Sequence, residues 1–142
     1  MIKQPRRGAL PSLVVSEADY DRLFLLAERA RQRTPEVAHG LLAELGRARV
    51  VDDTAMPADA VRMGSAVRFA MDGGEPQDVV LVFPGEADIA QGRISILTPV
   101  GMALIGLSKG QRIAWTDAHG RSHELVVRAV RPPAPVSAAS PA

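Results

Sequence analysis

Residues 93–110 have the sequence RISILTPVGMALIGLSKG, which predicts a strand, a capped helix and a tight turn within 18 residues. Ile94 to Leu97 predict a short buried strand. Thr98 and Pro99 predict the start of a helix, because threonine is a good N-cap and proline fits the first helical position, where its missing N–H costs nothing. Gly106 marks the end of this compact helix, whose apolar side chains are Val100, Leu104, Ile105 and Leu107.

Two predicted strand pairs lie on either side of this stretch. Before it, alternating apolar residues over 65–71 and an apolar run over 78–83 predict strands, with a turn at Asp72-Gly-Gly-Glu75. After it, residues 112–116 and 123–130 predict a second pair, joined by a turn over residues 117–121. Residues 64–131 are therefore predicted to form an α+β unit in which one short helix covers an antiparallel sheet.

Two amphipathic helices are predicted ahead of this unit. Ser16 and Asp19 have the spacing of a capping box, and the helix that they begin extends to about residue 32. Thr34 and Pro35 repeat the N-cap signature and begin a second helix that runs to about residue 50. The predicted apolar faces are Tyr20, Leu23, Phe24, Ala27 and Ala30 in the first helix and Val37, Leu41, Leu45 and Ala48 in the second.

A turn of two or three residues between these helices makes them an antiparallel hairpin. Gly40 and Gly46 weaken the second helix, so we expect the rest of the protein to hold the hairpin in place. The preceding Leu13-Val14-Val15 is either a short strand or an apolar segment packed beside the first helix.

The composition excludes several classes of function. The chain has 142 residues and no cysteine, which excludes disulfides, thiolate zinc sites and a cysteine nucleophile. No apolar run approaches the length of a membrane span, and the N-terminus lacks the apolar segment of a signal peptide. The net charge of +1 and the scarcity of aromatic residues argue against a dedicated nucleic-acid binder. We therefore expect a soluble, unprocessed, cytoplasmic protein.

One glycine pair has the spacing of a phosphate-binding loop. Gly101 and Gly106 follow a predicted strand, but Leu107 stands where the loop would need lysine. The residues between the glycines are apolar and helical, so their N–H groups are used within the helix and are not available to a phosphate. Helix packing is the better interpretation of these glycines.

No catalytic residue, metal site or cofactor site is predicted. His39, His119 and His123 lack a second ligand at helical spacing, and they are interpreted as surface or turn residues. The serines lack the setting of a nucleophile elbow. The arginines of the hairpin form either a solvated face with helical ion-pair partners, which is the preferred interpretation, or a surface for an acidic protein partner.

Three stretches carry a resemblance to known families: residues 42–48 (LAELGRA), residues 56–65 with Met56-Pro57 and Val61-Arg-Met-Gly-Ser65, and residues 98–107 (TPVGMALIGL). With the order of the elements, they resemble the Gre transcript-cleavage factors. The chain resembles more closely the regulator of nucleoside diphosphate kinase (Rnk) family, over residues 12–131.

This resemblance implies an N-terminal short antiparallel helical hairpin, or coiled coil, and a C-terminal FKBP-like antiparallel sheet with one short helix. The implied division is a flexible arm at 1–12, the hairpin at 13–50, a linker at 51–60, the FKBP-like domain at 61–131 and a disordered tail at 132–142. The implied partner is RNA polymerase, which Gre factors grip at the rim of the secondary channel.

The resemblance also implies which residues face the polymerase. The gripping turn of Gre factors matches Thr98 and Pro99, with Leu97 and Met102 beside them. Gre factors carry two acidic side chains at the hairpin tip, where they help to hold a catalytic Mg²⁺ in the polymerase. The corresponding tip of this chain has Arg31, Arg33 and Glu36.

The differences from Gre factors at the hairpin tip predict which activities this chain lacks. With one acid and two arginines at the tip of a short hairpin, the protein is predicted to regulate transcription without stimulating transcript cleavage and without being an enzyme. Prolyl isomerase activity is not expected, because the core needs Phe69, Phe83 and Trp115. We expect a monomer with no membrane association and no sequence-specific nucleic-acid binding. The alternatives are a regulator of nucleoside diphosphate kinase levels acting outside transcription, and a small FKBP-like ligand-binding domain.

Overall fold

The computed structural model describes residues 12–116 and 119–133, apart from the side chain of Trp115. Within these residues the chain is a mixed α+β structure with two long helices, one short helix, a parallel strand pair and a five-stranded sheet. In chain order the elements are β1 (Leu13–Ser16), α1 (Glu17–Ala30), α2 (Pro35–Gly46), β2 (Ala48–Val51), β3 (Ala66–Met71), β4 (Gln77–Val82), β5 (Arg93–Ser95), α3 (Pro99–Leu104), β6 (Arg112–Thr116) and β7 (Ser122–Arg131).

The two long helices form the predicted hairpin. The Ser16 hydroxyl accepts a hydrogen bond from the Asp19 N–H at 3.2 Å, which confirms the predicted cap of α1. Pro35 occupies the first turn of α2 as predicted, but the Thr34 side chain does not cap that helix. Its hydroxyl instead donates to the Ala30 carbonyl at 3.3 Å, so Thr34 closes the end of α1.

The prediction that the second helix runs to about residue 50 is wrong. Helix α2 ends at Gly46, and Ala48–Val51 form strand β2, which pairs in parallel with Leu13–Ser16. Two valines end this segment, and β-branched residues favour an extended backbone when a partner strand is available. The same pairing resolves the alternatives for Leu13 to Val15, which form a strand.

The residues that the hairpin helix α1 buries agree with the predicted apolar face only in part. Leu23 and Ala27 of α1 are buried as expected, but Phe24 is 40% exposed and stacks on Tyr20 with the ring centroids 6.3 Å apart. The position that replaces it on the buried face is Asp19, which is 3% exposed. A charged residue at a buried position is not visible from a search for apolar periodicity, because that search counts hydrophobic residues alone.

The five-stranded sheet has the order β5-β4-β3-β7-β6. The prediction of a fully antiparallel sheet is wrong at one pair, since β4 and β5 run parallel, with Val80 opposite Arg93. Parallel neighbours need a connection that returns the chain to the starting edge. Residues 83–92 provide it through two short 3₁₀ turns, Pro84–Glu86 and Ile89–Gln91.

One continuous apolar core joins the hairpin to the sheet. Leu23 and Leu41 of the hairpin belong to the same buried cluster as Leu104 of α3 and Phe69 and Leu125 of the sheet. The hairpin is therefore held by the remainder of the protein, as its glycine content predicts. None of the helices within the described ranges is long and apolar enough to cross a membrane. Residues 1–11 of the predicted arm (1–12), residues 117–118 of the predicted turn (117–121) and residues 134–142 of the predicted tail (132–142) lie outside the described residues.

Candidate partner-binding surface

The turn between β5 and α3 is held by a chain of side-chain hydrogen bonds. The Thr98 hydroxyl accepts from the Gly101 N–H at 3.0 Å and donates to the Ser95 carbonyl at 2.7 Å. The Ser95 hydroxyl accepts from the Leu97 N–H at 3.0 Å. The predicted N-cap is confirmed, and the turn presents Pro99 as an exposed residue on a fixed backbone.

Helix α3 lies so close to the preceding strand that one of its residues has room only for a hydrogen atom. A Cβ built on Gly101 would lie 2.2 Å from the Ser95 carbonyl oxygen and 3.0 Å from the Ile96 Cα. The Gly101 N–H is bound by Thr98, and the Ile105 N–H donates to the Gly101 carbonyl at 3.2 Å. The glycines thus serve packing, and these N–H groups are not available to a phosphate.

The four residues expected to face a partner do not share one environment. Leu97, Thr98 and Pro99 lie together in the turn. Met102 is partly buried and packs towards α2, since a Cβ built on Gly40 would lie 3.6 Å from the Met102 sulfur. Met102 therefore contributes to the contact between α3 and the hairpin.

The hairpin tip is exposed and contains more cations than carboxylates. Arg31, Arg33 and Glu36 are all exposed. Arg31 forms an ion pair with Glu28 at 3.4 Å, one helical turn earlier, which is the solvated arrangement that the sequence favours. Among the described residues, no group of three potential ligands of the His, Cys, Asp or Glu types is placed to hold a metal ion.

One polar cluster was missed from the sequence. His123 Nδ1 donates to Asp72 Oδ2 at 2.8 Å, and Asp72 Oδ1 accepts from the Glu124 N–H at 2.8 Å. Asp72 has a φ of 55°, a conformation that aspartate tolerates better than most residues. The turn signal at Asp72-Gly73 was visible, but its partner is 51 residues away in the sequence. The pairing ties the β3–β4 turn to β7.

This cluster predicts that the stability of the protein depends on pH. The hydrogen bond from His123, and then that from the Glu124 N–H, lower the pKa of Asp72 from its ordinary value of 3.8. A carboxylate whose folded pKa is depressed stabilises the fold above its unfolded pKa, and this contribution is lost as the pH falls through the folded value. As the pH falls from about 5 through the depressed pKa of Asp72, which lies below 3.8, Asp72→Asn should therefore lose less stability than the parent chain.

Urea unfolding of both proteins at each pH measures this effect. Asp59→Asn, which changes an exposed carboxylate elsewhere, is the matched control and should follow the parent chain. An acid sensitivity of Asp72→Asn equal to that of the parent would show that the Asp72 cluster does not contribute.

Comparison with known families agrees with this architecture. The family described as "Transcription elongation factor, GreA/GreB, C-term" matches residues 56–132, which include the sheet and α3. The family described as "Rnk N-terminus" matches residues 11–51, which include the hairpin and the parallel strand pair. The two matches together cover nearly all the residues that the structure describes.

Individual relatives show the same similarity. The chain is 34% identical to the regulator of nucleoside diphosphate kinase of Escherichia coli K12, over 82% of this chain and 87% of the relative. It is 34% identical to the transcription elongation factor GreA of Nitratidesulfovibrio vulgaris strain Miyazaki F, over 82% of this chain and 94% of the relative. A solved GreA/GreB structure from Nitrosomonas europaea is 36% identical, covers 85% of this chain and all of that chain, and superimposes with a TM-score of 0.69.

Proposed function

The chain belongs to the family of Rnk regulators and GreA/GreB transcription elongation factors, and from this membership we propose that it is an RNA polymerase-binding regulator of transcription. It acts in the cytoplasm as a monomer. The sheet and α3 form an FKBP-like domain that docks near the secondary channel of the polymerase, and the hairpin is a shortened coiled coil. The observation that carries the proposal is the pair of family matches, which together span both parts of the chain.

The proposed docking surface is the turn of Leu97, Thr98 and Pro99. Its backbone is fixed by the Thr98 and Ser95 hydrogen bonds, so it loses little conformational freedom when it binds. Pro99 is the exposed member of the turn. Met102 follows this turn in α3 and packs towards Gly40 of the hairpin.

Substitution of Pro99 tests the docking surface without removing the helix cap. Pro99→Glu should weaken binding to purified bacterial RNA polymerase by about tenfold, because it places a charge in the centre of the contact. An acidic residue is favourable in the first turn of a helix, so α3 should form in this variant. Thr98→Ala is less informative, because loss of the cap costs about 1 kcal/mol of stability.

Pro84→Glu is the matched control, because Pro84 is also exposed and also begins a short helical turn. It should bind polymerase as the parent chain does. No binding by the parent chain at low salt would contradict the proposed function. Equal binding by the Pro99 and Pro84 variants would leave the function intact and move the docking surface elsewhere.

The hairpin is proposed to modulate the polymerase, or to compete with Gre factors, without promoting transcript cleavage. Its helices have 14 and 12 residues, or about 21 Å and 18 Å at 1.5 Å per residue. The tip offers Glu36 beside Arg31 and Arg33, and two cations oppose the binding of a second Mg²⁺.

Addition of the chain to a backtracked polymerase complex should therefore yield no new short RNA, while a GreA relative in a parallel reaction should yield it. When both proteins are present, the chain should slow cleavage as its concentration rises, and Pro99→Glu should slow it less. Short RNA products formed with the chain alone would show that the interpretation of the tip is wrong.

A second candidate function rests on the name of the Escherichia coli relative, a regulator of nucleoside diphosphate kinase. The chain would then change the amount of this kinase outside transcription. The two functions differ in a cell that overproduces either the parent chain or Pro99→Glu. A change in the kinase messenger RNA that requires Pro99 supports the proposed action on transcription. A change in the amount of kinase protein that is independent of Pro99 supports the second function.

A third candidate, an FKBP-like ligand-binding or isomerase domain, has less support. Such a site needs an aromatic-lined pocket, but Phe69 is 2% exposed within the core. Phe83 is partly buried, and the guanidinium of Arg22 lies 5.0 Å from its ring centroid. Both rings are already engaged within the protein.

A further inference from the structure

The face of the sheet that points away from the core contains a shallow groove. Strand register identifies this outer face, because residues paired across strands point to the same side. Val67 and Val79 are paired and belong to the inner, core-facing side, so their neighbours Ala66 and Val80 point outward. Ala129 of β7 lies in the same groove, which has a volume of about 440 Å³.

One row of residues crosses four strands on this face. Arg93 of β5 is opposite Val80 of β4, Val80 is opposite Ala66 of β3, and Ala66 is opposite Arg131 of β7. Both arginines are exposed. With adjacent strands about 4.8 Å apart, the two arginine positions are about 14 Å apart, and the small floor of the groove lies between them.

The next row contains an ion pair. Arg68 Nε lies 2.9 Å from Asp78 Oδ1 and Arg68 Nη2 lies 3.1 Å from Asp78 Oδ2, in a bidentate arrangement. The hydrogen bond from Arg68, with a smaller contribution from Arg131, lowers the pKa of Asp78. Arg68 is thus matched by a carboxylate. Neither Arg93 nor Arg131 makes an ion pair with a carboxylate of residues 12–116 and 119–133.

The spacing of the two arginines matches an extended peptide. An extended chain rises about 3.3 Å per residue, so acidic residues four positions apart are about 13 Å apart and lie on one face. The residue midway between them lies on the same face and would meet the apolar floor of Val80 and Ala66. A nucleic-acid strand fits less well, because the described groove has no aromatic side chain on which a base could stack.

We propose that the outer sheet face, at Ala66, Val80, Arg93, Ala129 and Arg131, binds an extended acidic segment of a protein partner, with acidic residues at positions i and i+4 and a small apolar residue at i+2. This surface is distinct from the Thr98–Pro99 turn, and it does not depend on the identity of the partner that binds the turn. The acidic side chains pair with Arg93 and Arg131, and the apolar side chain fills the floor between them.

Synthetic peptides test this proposal on the full chain. The probe is acetyl-SESVSES-amide, and its controls are acetyl-SKSVSKS-amide and acetyl-SEESVSS-amide, which keeps the composition but places the acids side by side. Titration of ¹⁵N-labelled protein with the probe should shift the amide signals of Ala66, Val80, Ala129 and Arg131. The reversed-charge control should cause no such shift, and the rearranged control should bind at least about threefold more weakly.

Variants of the protein complete the test. The double variant Arg93→Glu/Arg131→Glu should bind the probe at least about tenfold more weakly, whereas Arg29→Glu, on the exposed surface of α1, should bind it as the parent chain does. Shifts confined to other surfaces, or equal affinity of the parent and the double variant, would overturn the proposal. Tighter binding of a short oligothymidylate at the same residues would also overturn it, in favour of a nucleic acid.

Discussion

Replacement of Gly101 with alanine is expected to lower the free energy of unfolding by at least about 3 kcal/mol. The added Cβ would lie 2.2 Å from the Ser95 carbonyl oxygen, far inside van der Waals contact. The backbone fixes the position of the Cβ, and the carbonyl is itself a backbone group, so no side-chain rotation can relieve the clash. To make room, α3 must move away from β5, which disturbs the buried Leu104.

Gly46→Ala is the matched control for this prediction. Nothing lies within 4 Å of a Cβ built on Gly46, which is the last residue of α2. The same chemical change should there stabilise the protein by about 0.5–1 kcal/mol, because alanine has the higher helix propensity. Urea unfolding, followed by circular dichroism, measures both changes.

The two variants are expected to have opposite signs, and this makes the comparison informative. Equal unfolding midpoints for Gly101→Ala and the parent chain would show that α3 can shift at little cost. Gly101→Ala should lower stability and also disturb the Leu97–Pro99 turn, since the Ser95 carbonyl that it meets also accepts from Thr98, whereas Pro99→Glu should lose affinity for the polymerase while it remains folded.

Gly101 illustrates what the sequence could and could not predict. Its position in a helix after Thr98-Pro99 was predictable, because capping depends on residues that are close in the sequence. Helix packing was also the preferred interpretation of the Gly101–Gly106 spacing. The contact that requires glycine was not predictable, since the distance between the Gly101 Cα and the Ser95 carbonyl is set by how α3 is pressed against the sheet.

The same distinction explains the errors in strand topology. The strands β3, β4, β6 and β7 were predicted from local alternation and turn signals. The parallel β4–β5 pair was not, because it depends on the path of residues 83–92. Strand β2 was mistaken for the end of a helix, because the strand that it pairs with, Leu13–Ser16, lies more than 30 positions earlier. Local patterns predict elements, whereas pairings between distant segments depend on the assembled core.

The candidate site shows a similar division. The residues of the Leu97–Pro99 turn and the hairpin tip could be proposed from the sequence, because each is a contiguous segment that can be compared with a known family, and their role stays a prediction. The Arg93–Arg131 row on the outer sheet face was not found, since its members come from four strands and share only a register position. The Asp72–His123 pair was missed because its two residues are 51 positions apart in the sequence.

Asp19 connects the hairpin to the segment that leads into β3 through a buried carboxylate. Oδ2 accepts from the Met63 N–H at 3.0 Å, and Oδ1 accepts from Arg22 Nη2 at 2.8 Å. Asp19→Ala should therefore lower the free energy of unfolding by about 2–3 kcal/mol, because it leaves the buried Met63 N–H without an acceptor. Amide exchange at Met63 should also become faster, which a general loss of helix stability would not single out.

Two further variants locate the origin of this effect. Asp19→Asn keeps an oxygen acceptor for Met63 but loses the charge that faces Arg22. It should therefore lower the free energy of unfolding by about 1 kcal/mol, which is less than the alanine variant. Asp21→Ala, at an exposed position on the same helix, should change stability by no more than about 0.5 kcal/mol. If Asp19→Ala behaved like Asp21→Ala, the hairpin would be held in place by the apolar core alone, and the buried carboxylate would not contribute to its orientation.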